Sequence, residues 1–232
     1  MKKTQQQILI IFSGLLTLSC GQNKSNSQKN TYTENTTAHT AVINSPEDAL
    51  AEMKAGNQRF LSGKFVNTDY KNQIEQTKTD QHPHTLILSC LDSRIPPEII
   101  FDQGIGNIFV ARVAGNIEDP NILGSMEFAT KVKGTKLIIV MGHNRCGAVK
   151  GAIDNAELGN LTQLVDQIKP AIVGDTTNLD NMLNQTSKNN VKMTINDILK
   201  SSSVINSLVK ENKVKLVGAY YDIATGQVTF FD

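Results

Sequence analysis

Apolar residues along this chain fall into short unbroken runs separated by stretches of helical period. Four runs, Thr85–Cys90, Asn107–Val113, Lys136–Met141 and Val214–Tyr220, are rich in Ile, Leu and Val. Runs of this length without alternation predict strands buried on both faces, as in a parallel sheet. Between them Leu161, Leu164, Val165 and Ile168 recur at i, i+3, i+4 and i+7, with Asn160 as a cap and Pro170 as a stop. Ile195, Ile198 and Leu199, then Ile205, Leu208 and Val209, predict two short helices around a Ser201–Ser203 break. Thr225-Gly226 turns the chain toward Gln227–Phe231, an expected antiparallel edge strand. The alternation predicts an α/β domain with an open, mostly parallel sheet of about four strands, that C-terminal edge strand, and helices on both faces.

The folded part is expected to begin at Ser45. Ser45-Pro46-Glu47-Asp48 offers an N-cap hydroxyl, a proline at the first helical position and acids in the first turn. Leu50, Met53, Phe60 and Leu61 share one face, and Gly63 marks the stop. This N-terminal helical arm packs on its own domain or on a partner; periodicity does not choose. Pro96-Pro97 sets up another helix start. Gly104-Ile105-Gly106 reads as a turn before a strand rather than a phosphate loop, because no helix follows it.

The chain start has a different character. Lys2 and Lys3 precede an apolar stretch, Ile8–Leu18, of signal-peptide length and too short to span a bilayer. Leu18-Ser19-Cys20-Gly21 resembles a bacterial lipobox, although Thr17 stands where Leu is usual. Residues 1–20 are therefore expected to be a lipoprotein-type signal, with Cys20 lipidated and the protein held on a bacterial cell membrane; an ordinary cleaved signal is the alternative. Residues 21–44, dominated by Asn, Ser, Thr, Gln and Lys, read as a flexible tether spanning roughly 25–30 Å as a coil. Residues 45–232 are the expected domain. The formal charge is +1, and removing residues 1–19 takes away two lysines and brings it to −1. That balance, with no Trp in the chain, excludes a nucleic-acid surface.

Ligands of open α/β sheets sit at the carboxyl ends of the strands. The first strand ends in Cys90-Leu91-Asp92-Ser93-Arg94 and the third in Gly142-His143-Asn144-Arg145-Cys146-Gly147. Cys90, His143 and Cys146 thus share one edge. Two thiolates and an imidazole suit Zn²⁺ and leave a fourth position for water, as in catalytic rather than structural sites. A Cys90–Cys146 disulfide, usual in exported proteins, and two free core thiols are the competing readings. Asp92 and Arg94, two apart in an extended loop, have side chains on one side.

Ser89–Glu98 and Val140–Ala148 resemble the two signatures of β-class carbonic anhydrases, and Phe109–Asn116 and Gly218–Gly226 are also similar, in the same order. The resemblance runs from about Ser45 to the C-terminus. It implies one zinc per chain on Cys90, His143 and Cys146, and reversible hydration of carbon dioxide to bicarbonate by zinc-bound hydroxide. Two thiolates cancel the metal's charge, so turnover is expected to strengthen above neutrality and fade in acid. It implies that Arg94 pairs with Asp92 and holds it off the metal, that Gln81 and Gly147 contact substrate, and that the protein is a homodimer or multiple of dimers whose N-terminal helix grips the mate. A regulatory bicarbonate pocket in one subgroup uses a Trp three residues before the first Cys; here that residue is Ile87, although Arg112 matches another member of the pocket. His82 and His84 are expected to be surface histidines. Two alternatives stay open: a non-catalytic zinc-binding module of the same fold, and a hydrolase of carbonyl sulfide or carbon disulfide.

Overall fold

The computed structural model describes residues 42–173 and 178–231. Cys20, His39 and the signal-like segment lie outside them. Five strands form one sheet: β1 (Thr85–Ser89), β2 (Ile108–Arg112), β3 (Leu137–His143), β4 (Lys215–Tyr221) and β5 (Val228–Phe231). Their order is β2-β1-β3-β4-β5, with β1 parallel to β2 and β3, β3 parallel to β4, and β5 antiparallel at the edge. The expected sheet is therefore present, the four parallel strands plus the antiparallel one.

Successive residues of a strand point to opposite faces, and the two cores follow that rule. Ile87, Leu137, Ile139 and Met141 pack with Ala49, Met53, Ile100, Val149, Val165 and Ile168. These come from α1 (Pro46–Ser62), α3 (Pro97–Ile100), α5 (Gly147–Ile153) and α6 (Gly159–Ile168). Leu86, Leu88, Ile138 and Val140 pack on the other face with Met126, Val191, Ile198, Ile205 and Leu208. Those belong to α4 (Pro120–Glu127), α7 (Leu179–Ser201) and α8 (Ser203–Lys210). A further helix, α2 (Tyr70–Thr77), precedes β1.

The arm helix starts and stops where its chemistry predicts. Ser45 Oγ accepts from the Asp48 N–H and the Asp48 carboxylate accepts from the Ser45 N–H; Gly63 closes the helix at φ 67°. Of the two seats expected for this arm, its own domain is one: α1 is docked there. Asn57 donates to the Ile100 and Gly226 carbonyls and accepts from the Val228 N–H. Arg59 pairs with Glu52 and Asp102. Two helix readings also change. Asn160 lies inside α6, not at its cap, which is Leu158. The helix expected around Ile195 is the end of the 23-residue α7. The Ser201–Ser203 break is real: Ser202 ends α7 and caps α8 through its hydroxyl.

Candidate metal centre

Strands β1 and β3 lie side by side and parallel, so the residues that leave their carboxyl ends meet. Cys90 directly follows β1, and His143 is the last residue of β3, two residues past the end of its apolar run. The chain then turns through Asn144 and Arg145, the latter left-handed at φ 54°, and returns Cys146 as the residue before α5. That helix N-terminus favours a thiolate at Cys146.

The donor atoms of Cys90, His143 and Cys146 all lie within 4.8 Å of one another. All three residues are buried, at 4%, 0% and 1% exposure. The sulfurs are 3.9 Å apart and both thiols are free. A disulfide needs about 2.05 Å, so that reading is excluded. Two sulfurs each about 2.3 Å from one tetrahedral ion would lie about 3.8 Å apart, which matches. His143 supplies an independent sign. Its Nδ1 is 2.8 Å from the Asn144 carbonyl oxygen, which can only accept, so Nδ1 carries the hydrogen. Nε2 is then a bare lone pair, and it is buried with no hydrogen-bond partner. A ring oriented by one nitrogen with the other free is the arrangement of a metal-ligating histidine. The donor set fits Zn²⁺.

Ionisation is divided unevenly between the sulfurs. The hydrogen bond from Cys146, then the N–H groups of Gly115 and Asp92, hold the Cys90 thiol well below its ordinary value against the opposing effect of burial. The Cys146 thiol is driven up, first by its hydrogen bond to Cys90 and then by burial. A divalent cation between them relieves the repulsion and lets both ionise.

Asp92 and Arg94 are brought together as expected. Arg94 Nε and Nη2 donate to Asp92 Oδ1 and Oδ2 at 2.9 and 2.6 Å, and the Arg94 N–H adds a third bond to Oδ1 at 3.0 Å. This fork is the strong form of the pair. It holds the Asp92 carboxyl at about 2, with partial burial opposing.

Several supports escape the sequence reading. Arg112 donates from Nε to the Cys90 carbonyl at 3.0 Å and from Nη2 to the Asp92 carbonyl at 2.5 Å, bracing the loop after β1. Its signal is positional: Arg112 ends β2 opposite Ser89 in the register. Asn144 accepts from the Ile223 N–H at 2.8 Å and donates to Asp222 at 3.3 Å, tying the His143 turn to the β4–β5 loop. Gly115, at φ 72°, donates its N–H to Cys90 Sγ at 3.4 Å.

Other expected residues lie elsewhere. Gln81 is exposed and precedes β1, at the amino end of the sheet, so it takes no part in its own chain's cluster. His84 is there too, but it is no surface histidine: its ring contacts Thr85 Oγ1 and Gln103 Oε1 at 2.8 and 3.2 Å. His82 is exposed beside Asp80. Gly147 begins α5, and a Cβ there would meet nothing within 4 Å. Ile87 is fully buried core.

A family model described as carbonic anhydrase matches residues 85–228, which include every residue of the cluster. Carbonic anhydrase 2 of Mycobacterium tuberculosis is 31% identical over 196 residues, covering 81% of this chain and 93% of the relative. A carbonic anhydrase of Mycolicibacterium smegmatis is 33% identical over 190 residues, covering 79% and 92%. Among solved structures, a β-carbonic anhydrase of the ascomycete Sordaria macrospora, described as tetrameric, shares the fold with a TM-score of 0.62. It is 23% identical and covers 69% of this chain and 90% of that one.

Proposed function

The chain belongs to the β-class carbonic anhydrase family, and from that membership we propose that it hydrates carbon dioxide reversibly to bicarbonate with one zinc ion held by Cys90, His143 and Cys146. The observation that carries this reading is the cluster itself, with sulfurs 3.9 Å apart beside an imidazole nitrogen that has no other partner. When bound there, Zn²⁺ would supply a Lewis acid with one open position and make a water reactive near neutral pH.

The chain's own residues do the rest. Asp92, kept ionised by Arg94, is the acceptor that takes a hydrogen bond at the reacting centre through a carboxylate oxygen. Arg94 holds that carboxylate in one direction with two parallel bonds. Burial of all three donors keeps bulk water from competing for them. Carbon dioxide is neutral and apolar, so it needs space more than charge. The open volume beside Gly147 supports a backbone contact with substrate there.

Assembly and address belong to the same reading. A homodimer or a multiple of dimers is supported by exposed apolar side chains such as Leu91, Ile99, Ile105 and Phe128. Gln81, remote from its own chain's cluster, would serve the site of a second copy. Among the described residues no helix is long and apolar enough to cross a membrane. Export by the signal-like segment and anchoring to a bacterial membrane by a lipid on Cys20 rest on the sequence of the chain start.

Purified protein should contain one zinc per chain and hydrate carbon dioxide in a stopped-flow indicator assay. Zinc without hydration would point to a binding module, and faster turnover of carbonyl sulfide or carbon disulfide to the hydrolase. A chain that takes up no metal with both thiols reduced overturns the reading.

A further inference from the structure

Helix α7 covers the β3 end of the sheet with a face that is polar where a core is usually apolar. Asn190 is fully buried and donates from Nδ2 to the carbonyl oxygen of Gly115 at 2.6 Å. Gly115 in turn gives its N–H to Cys90 Sγ at 3.4 Å. One turn earlier, Ser187, also buried, donates from Oγ to the carbonyl oxygen of His143 at 2.9 Å. Two neighbouring polar side chains of one helix therefore end on the turn after β2 that touches Cys90 and on the end of β3 that carries His143.

Stability alone does not explain this face. Asn190 Oδ1 and the hydroxyls of Thr186 and Thr194 on the same helix are buried without a hydrogen-bond partner. Each such group costs about 1–3 kcal/mol, and an apolar residue would avoid it. At one glycine the backbone is also cleared to let α7 approach. A Cβ at Gly142 would lie 2.8 Å from Val191 Cγ2 and 3.1 Å from Ser187 Oγ. At Gly115 the left-handed φ of 72° and a clash of 2.5 Å with Ile168 Cδ1 leave room only for glycine. A glycine in that conformation has little of its own to hold its peptide planes, and the Asn190 amide grips the one that follows.

We propose that α7 positions the metal centre: Asn190, acting through Gly115, aims a backbone N–H at the Cys90 sulfur, and Ser187 fixes the carbonyl behind the His143 ring. Both are positioning residues rather than catalytic ones, since neither touches the reacting atoms. The inference rests on the zinc reading of the cluster and deepens it. Outer partners of this kind orient a ligand and tune its donation, and their loss typically weakens metal binding 10–100-fold.

The test compares the full chain with Asn190→Ala, Ser187→Ala and the control Thr194→Val, whose hydroxyl is equally buried on the same face but reaches neither segment. Zinc affinity is read by chelator competition. Ligand geometry is read from the thiolate-to-metal charge-transfer band of the cobalt-substituted protein. Asn190→Ala should weaken zinc 10–100-fold and shift that band, while Thr194→Val keeps both at parent values. Parent-like affinity and spectrum in Asn190→Ala, whatever its melting temperature, overturns the proposal. Equal weakening in Thr194→Val also overturns it, because the effect would then belong to helix packing in general. If Asn190→Ala does not accumulate as folded protein, Ser187→Ala decides. Removing that one oxygen should weaken zinc about 10-fold, and unchanged affinity refutes the idea. A parent chain that binds no zinc condemns the reading of the site instead.

Discussion

Arg94 grips Asp92 through three hydrogen bonds, two from the guanidinium and one from its own backbone. Because Arg112 also holds the Asp92 carbonyl, the carboxylate has little freedom to swing. Asp92→Asn keeps the shape and removes the charge. Hydration should fall at least about 100-fold, the scale of losing one positioned acid–base or charge-stabilising group, while bound zinc stays at parent level. The lowered carboxyl gives this prediction a pH signature. With its folded value at about 2, Asp92 is ionised throughout the assay range. The ratio of variant to parent rate should therefore be constant from about pH 6 to 9. A ratio that drifts with pH would mean that Asp92 itself titrates there. The pair was legible in the sequence because Cys-x-Asp-x-Arg sits at a strand end. Arg112 and Asn144 were not legible as supports, because their partners are backbone carbonyls and a distant loop that only folding brings near.

At the scale of elements, two helices show what apolar pattern can and cannot announce. The caps of α1 were readable because cap chemistry is local: Ser45, Asp48 and Gly63 act within a turn of where they stand. Its docking was not. Asn57 and Gly56 look like surface residues in sequence, yet Asn57 satisfies two carbonyls and one N–H of other segments. A Cβ on Gly56 would fall 1.9 Å from the Phe101 carbonyl oxygen. Asn57→Ala strands three buried backbone groups and should cost about 3 kcal/mol, lowering the melting temperature by about 6–12 °C at this size. Gly56→Ala should lose at least as much by pushing the helix off its seat. Thermal unfolding measures both, and parent-like melting would mean that α1 does not dock on its own domain in solution. Helix α7 escaped for the opposite reason. Its buried positions, Leu183, Thr186, Ser187, Asn190, Val191, Thr194 and Ile198, keep helical spacing. More than half carry hydroxyl or amide side chains, so a search for apolar period finds only the last turns.

On the scale of the whole molecule, the sheet keeps two kinds of histidine apart. His143 stands at the carboxyl end with the cysteines, and His84 at the amino end, about one strand length away, about 17 Å for five residues. The mostly parallel sheet and the metal edge followed from strand runs and strand-end chemistry, whereas the order of the strands did not. The amino end carried no such signal, since its contacts join Gln103 and Thr85 to a ring that reads as loop surface. Burial holds the His84 imidazole below its ordinary value, although its bond to Gln103 and the charge of Glu52 act the other way. The consequence runs in one direction. Below the ordinary histidine value of about 6.5 the unfolded chain takes up a proton that the folded chain resists. Stability from this group is therefore complete above that pH and declines as pH falls, by at most about 1.4 kcal/mol per pH unit. His84→Gln, which keeps a donor and an acceptor but cannot ionise, should flatten the fall in stability between about pH 7 and 5 relative to the parent. Denaturant unfolding of both proteins at equal zinc cancels the contribution of the metal centre. Parallel stability curves for parent and variant across that interval would show that His84 ionises as freely in the folded protein as in the unfolded chain.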